Sequence, residues 1–218
     1  MRLCATLRTA AVLAVLNWSL CAQTAPPKET PGEGKGLPPR AAPSDYQAQA
    51  QVGGITLAAD FRGHAVPTLT RPFSSEDYVT VEVGFFGPPE ARTKIAADDF
   101  SLRINGKKNP LSAQPYGTVF SSLKDPEWVP PDTGEKKSKG GLSTGGEGGA
   151  APPPPKMPFE LQRAMQVEVK RAILPEGDRT LPQAGVLFFD YRGKTEKIKT
   201  IELIYSGSAG KATLNLQP

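Results

Sequence analysis

His64 is the only imidazole in this 218-residue chain, and Cys4 and Cys21 are its only thiols. Both cysteines sit in or beside an N-terminal stretch with the features of an export signal. The mature chain is therefore expected to offer one histidine, short of the three or four nitrogen and sulfur ligands that zinc and copper sites bring together. A Ser-His-Asp device needs a histidine steadied by a carboxylate and facing a nucleophile. His64 instead lies between turn signals in Arg62-Gly63-His64-Ala65-Val66-Pro67. It reads as an ordinary surface or edge histidine.

Carboxylates offer harder ligands. Asp98-Asp99 and Glu76-Asp77 would supply oxygens to calcium if their loops converged; the simpler reading is that Asp98 turns the chain into the strand that follows. Paired acids for glycoside hydrolysis need two carboxyls across a cleft, and no spacing marks such a pair. Gly207-Ser208-Ala209-Gly210-Lys211-Ala212 resembles a nucleotide loop. It lacks the full spacing and the Ser or Thr after lysine, and a strand follows where a helix is required, so a β-turn accounts for it. No catalytic, cofactor or metal residue is assigned, and the chain is expected not to be an enzyme.

Two groups suit binding. Lys136, Lys137 and Lys139, with Lys194, Lys197 and Lys199 elsewhere, would attract anionic polymers or simply solubilise loops and edges. Trp128, in Asp125-Pro126-Glu127-Trp128-Val129-Pro130-Pro131, is the candidate ligand contact. Its ring would stack on a sugar or on a partner's proline, or pack over one end of the domain.

The segment preceding these residues sets where they act. Arg2 and Arg8 form a positive flank, Thr9 to Leu16 an apolar stretch, and Leu20-Cys21-Ala22 a cleavage site, the three regions of an export signal spanning 1–22. The apolar stretch is too short for the roughly 20 residues of a membrane-spanning helix. A lipid-anchored alternative would modify Cys21, although bulky Leu20 precedes it. Removing Arg2 and Arg8, with no acid among the first 22 residues, lowers the formal charge from +4 to +2 and leaves Trp128 as the sole tryptophan. A periplasmic or extracellular protein without cysteine must be stabilised by its core alone.

Residues 23–44 are rich in proline and poor in large apolar side chains, and read as a solvated tether. Residues 45–218 read as one domain interrupted at 132–157, where seven glycines and Pro152 to Pro155 predict a disordered loop. Without that loop the domain holds about 150 residues, a usual size for one core.

The dominant period is two. Val79, Val81, Val83 and Phe85 alternate with Tyr78, Thr80, Glu82 and Gly84, as in a strand with one buried face. Ile55 to Phe61 and Phe100 to Ile104 alternate similarly, and Asn105-Gly106 signals a hairpin. Val186-Leu187-Phe188-Phe189 is apolar on both faces and predicts a central strand; Ile201 to Tyr205 and Ala212 to Leu216 complete a meander. Over about 158–174, Leu161, Met165, Val169 and Ala172 recur at helical spacing, with Glu160 in the first turn and Lys170 and Arg171 in the last. The rival there is a strand through Met165, Val167 and Val169. The fold class is mainly β, an immunoglobulin-like β-sandwich with one inserted helix.

The order Tyr78-Val79-Thr80-Val81-Glu82-Val83, Asp98-Asp99-Phe100-Ser101-Leu102, Gly185-Val186-Leu187-Phe188-Phe189 and Ile201-Glu202-Leu203-Ile204-Tyr205 resembles the immunoglobulin-like domains of uncharacterised exported bacterial proteins. The likeness covers about 130 residues and rests on packing and turn patterns; the Gly/Pro-rich insertion and the helix depart from it. It implies a sandwich and brings no catalytic residue. The expected function is a non-enzymatic interaction or accessory module of the cell envelope, binding a protein or polymer partner and not nucleic acid. The alternative is a carbohydrate- or envelope-polymer-binding module using Trp128 and nearby basic residues.

Overall fold

A computed structural model describes residues 34–131 and 156–218. The expected signal at 1–22, the first part of the tether and most of the 132–157 insertion lie outside them. The strands are β1 (Ala48–Val52), β2 (Ile55–Gly63), β3 (Ala65–Val66), β4 (Phe73–Ser75), β5 (Tyr78–Phe86), β6 (Arg92–Ile95), β7 (Phe100–Ile104) and β8 (Leu111–Gln114). Helix α1 (Tyr116–Val119), β9 (Leu123–Lys124) and helix α2 (Phe159–Ala172) follow, then β10 (Gly177–Thr180), β11 (Gln183–Asp190), β12 (Ile201–Gly207) and β13 (Gly210–Leu216). The fold is mainly β, and its strand pairs are antiparallel.

Eight strands form one hydrogen-bonded series, β1-β2-β5-β11-β8-β7-β12-β13. Its two ends approach each other. A side-chain carbon on Gly53, in the β1–β2 turn, would lie 2.8 Å from the Ala209 carbonyl, and one on Gly210 would lie 3.0 Å from Val52. The sheet is thus nearly a barrel.

Inward-facing residues fill it. Leu57, Val81, Val83, Leu102, Phe189 and Leu203 are fully or almost fully buried, and Phe85, Phe100 and Tyr205 pack ring to ring at 5.0–6.0 Å, near the edge-to-face spacing aromatic quadrupoles favour. Each large side chain removed from water contributes about 1.5–3 kcal/mol. Phe188 and Val186 point the other way into a second core with Phe73, Val119, Leu123, Met165 and Val169, so β11 is buried on both faces as its sequence predicts.

Strand β5 departs from its expected single buried face. Thr80 donates its hydroxyl to the Ala65 carbonyl, Glu82 is ion-paired with Arg40 and Arg62, and Gly84 is covered by Tyr46, whose hydroxyl would lie 2.7 Å from any added side-chain carbon. Small or polar residues can lie beneath a second layer when that layer satisfies them. Period-two alternation reports polarity, and here it does not report exposure.

Residues Gly34–Ser44 also depart from the tether expectation. Leu37 is buried and bridges Ala184 through its backbone, and Arg40 is anchored on the barrel wall. The stretch has few large apolar residues, but one leucine and one arginine fix it.

Helix α2 matches its predicted span and polarity, starting after Pro158 with Glu160 in the first turn. Met165, Val169 and Ala172 face the second core, whereas Val167 is 44% exposed, as helical rather than alternating spacing requires. Leu161, expected on the buried face, is 43% exposed. Asn105 and Gly106 take φ values of 53° and 64°, and β7 does pair with β8, Leu102 opposite Leu111. The connection runs from 105 to 110, longer than the two-residue turn the signal predicts.

Candidate functional site

The turn that presents Trp128 is built from one arginine and one aspartate. Asp125 accepts the Glu127 backbone N–H at 3.0 Å, an Asx turn of the kind short acids make, and the Trp128 N–H donates to the Asp125 carbonyl at 3.1 Å. Arg71, in the loop before β4, forks onto both oxygens of Asp125 at 3.2 and 2.7 Å and reaches Glu127 at 2.9 Å. Its guanidinium also lies 5.1 Å over the Phe73 ring, a cation–π contact. The hydrogen bond to Glu127, with the charges of Asp125 and Glu127, raises the Arg71 pKa above its ordinary value.

Trp128 borders a cleft of about 670 Å³ with Phe120, Leu123, Met157 and Met165 among its walls. The polar wall residues are Ser121, Lys124, Asp125, Gln162 and Gln166. Lys124 is paired with Glu76, Asp125 with Arg71, and the Gln162 side-chain N–H donates to the Met157 carbonyl at 2.7 Å, so Ser121, Gln166 and the Gln162 side-chain oxygen are the polar groups most available to a ligand. Val129 and Phe159, sequence neighbours of wall residues, are 79% and 70% exposed. A half-buried tryptophan, two flexible methionines and a phenylalanine give an adaptable apolar surface, the composition of binding pockets.

The other sequence candidates are placed apart from this cleft. His64 has Nδ1 2.9 Å from the Tyr78 carbonyl and Nε2 2.8 Å from the Gly193 carbonyl. Both nitrogens face backbone carbonyls, of which a neutral ring donates to one, so the ring ties β2–β3 to Tyr78 or to the 191–200 connection and is turned towards backbone. Ala97–Asp99 form a 3-10 turn leading into β7, with Asp98 exposed. Asp99 has a pKa above its ordinary 3.8, through burial first, opposed by Lys94 and reinforced by Asp98. Glu76 and Asp77 pair with Lys124 and Arg192, and no group of three potential metal ligands occurs among the described residues. Gly207 and Gly210 close the β12–β13 hairpin, a turn as expected.

One charged cluster went unread in the sequence. Asp60 on β2 and Glu82 on β5 are directly opposed and each only 5% exposed. Asp60 accepts the Gln47 N–H at 2.5 Å and Arg40; Glu82 accepts Arg40 through both oxygens at 3.2 and 3.1 Å and Arg62 at 3.2 Å. All four carboxylate oxygens are thus engaged. The pair is a lock, although paired acids on facing strands are also what acid–base chemistry uses. For Arg40, burial works against the charge, but hydrogen bonds to Asp60 and Glu82 outweigh it and raise its pKa. The only sequence signal was two acids at alternate, nominally solvent-facing positions of neighbouring strands.

Comparison with protein-family models, curated proteins and solved structures finds no match to this chain.

Proposed function

We propose that the chain is a non-enzymatic, exported interaction module of the cell envelope that engages its partner through the Trp128 cleft. The observation that carries this reading is a cleft walled by Trp128, Phe120, Met157 and Met165, with the exposed Val129 and Phe159 within two residues of its walls in sequence. Apolar groups gathered in a cleft open to solvent mark an interaction site. The engagement of His64 and of the Asp60–Glu82 pair by the protein's own groups favours binding over catalysis.

The finer fold reading, an immunoglobulin-like sandwich, draws support from the join between strands. The halves β1-β2-β5-β11 and β8-β7-β12-β13 are linked by only two residue pairs, Phe188 with Gln114 and Phe189 with Ala113. A sandwich joined along one side has that form; the approach of β1 to β13 favours a closed barrel instead.

A carbohydrate-binding reading has its own support, since a tryptophan beside Gln162 and Gln166 offers a stacking face with neutral hydrogen-bonding groups. The emission of Trp128, in a chain beginning at Gln23 where it is the only tryptophan, separates the two readings. Titration with envelope glycans is expected to leave it unchanged, and titration with extended proline-rich peptides to shift it. A saturable shift with a glycan alone supports the carbohydrate reading, and silence towards both classes counts against the cleft as a binding site for either.

A further inference from the structure

We infer that the end of the barrel opposite the β12–β13 turn is a docking surface for a linear polyanion, separate from the Trp128 cleft. The 105–110 connection and the 191–200 connection are far apart in sequence, and Asn105 clamps them together. Its side-chain amide donates to the Lys197 carbonyl at 3.0 Å, its side-chain oxygen accepts the Lys199 N–H at 2.6 Å and the Thr200 N–H at 3.3 Å, and its backbone N–H donates to the Thr200 carbonyl at 2.9 Å. Positive φ at Asn105 and Gly106 then turns Lys107 and Lys108 towards the same end.

Five exposed lysines result: Lys107, Lys108, Lys194, Lys197 and Lys199. None of their ammonium groups has a carboxylate partner among the described residues. Arg40, Arg62, Arg71, Arg92, Arg103 and Arg192, by contrast, are all ion-paired. Acids do occur at this end, but Glu202 is taken by Arg103 and Asp77 by Arg192, which leaves Glu196 and Asp190. Unneutralised like charges repel, so a cluster held by a rigid clamp is arranged for an outside anion.

Point-charge ammonium groups on flexible stems suit closely spaced phosphate or carboxylate groups without fixing their geometry. Of the exposed large apolar residues, Val129, Phe159, Leu161 and Val167 lie in other segments, and only Leu69 belongs to a loop, 67–72, that flanks Thr195, which is little to insert into a bilayer. That favours a polymer over a lipid surface.

The test uses long-chain inorganic polyphosphate and the full chain. Binding at low salt is expected, weakening as salt rises with a log–log slope of about −2 to −4, at roughly −0.7 per contact. Lys107→Glu with Lys197→Glu is expected to weaken it about tenfold or more, at about 1 kcal/mol for each lysine near an anionic surface. Lys94→Glu with Lys211→Glu, at other sites, changes the net charge equally and is expected to change affinity less than about twofold. Circular dichroism checks that both variants fold, and the wild-type salt slope stands independently of them. Equal losses in the two variants, no binding at low salt, or binding only to phosphatidylglycerol vesicles would overturn the proposal. Trp128→Ala is expected to leave polyphosphate binding intact, so failure here and failure of the cleft reading are distinguishable.

Discussion

Arg71 and Asp125, 54 residues apart, meet fork to fork, with each terminal guanidinium nitrogen on one carboxylate oxygen, at 3.2 and 2.7 Å. Asp125 is nearly buried at its side chain, 7% exposed, while Arg71 is 38% exposed. The pair therefore joins a fixed acid to a partly solvated base, and the Asx turn it braces fixes the backbone at Trp128.

Arg71→Met should release that turn without emptying the space above Phe73. Loss of a charge-assisted bidentate pair with one buried partner is expected to lower the unfolding midpoint. Urea denaturation measures the loss, and Trp128 emission should shift to the red and become more accessible to acrylamide. Unchanged emission would show that the turn holds itself.

The Arg40 lock predicts a larger effect. Arg40→Met leaves Asp60 and Glu82 facing each other with only Arg62 near both, and removing one partner from buried charges costs about 3–5 kcal/mol. Residual solvent contact of Arg40 and the presence of Arg62 put the expected loss near the lower figure. Adding Asp60→Asn and Glu82→Gln to the Arg40→Met chain should recover part of it, because neutral amides need no counter-charge. A triple variant no more stable than Arg40→Met would contradict the electrostatic account.

These two clusters join residues that are distant along the chain. Period-two patterns placed the strands through Ile55–Phe61, Tyr78–Phe85, Phe100–Ile104 and Ile201–Tyr205, and the spacing of Met165, Val169 and Ala172 placed α2, because interior burial depends on neighbours along the chain. The outer layer over β5 was not legible. Thr80, Glu82 and Gly84 look solvent-facing, and what covers them, Ala65, Arg40 and Tyr46, comes from distant segments. Trp128 was legible as a binding candidate from its type and its proline-rich surroundings, whereas its cleft partners Phe120, Met157 and Met165 are joined to it only by folding. Short strands such as β3, β4 and β9 carry too few residues for a periodic signal.

Asp99 predicts a pH dependence. Its folded-state pKa is raised, so the folded chain holds the proton at pH values where the unfolded chain has lost it. By linkage, its contribution to stability falls as pH rises through the window just above the ordinary value of 3.8. Asp99→Asn should abolish that part of the slope and be more stable than wild type at neutral pH, as read from denaturation midpoints at pH 4 and pH 7. A variant less stable than wild type at both values would assign Asp99 a favourable contact instead.

His64 is expected to act as a strut. His64→Ala removes both ring contacts and leaves the Tyr78 and Gly193 carbonyls to water, at a cost of about 0.5–1.5 kcal/mol for the hydrogen bond lost. Hydrogen exchange should quicken in 191–200 and at the start of β5, with the interior strands unaffected until global unfolding. A uniform loss of protection would place His64 in the main core instead.

The central claim is that the Trp128 cleft is the face presented to a partner. A photo-reactive amino acid in place of Gln166, in the cleft wall, compared with one at Lys211 on β13, tests it inside the producing cell. The account predicts one discrete adduct from Gln166, lost when Trp128→Ala is added, and none from Lys211. Absence of any adduct at Gln166, or the same adducts from both positions, would contradict it.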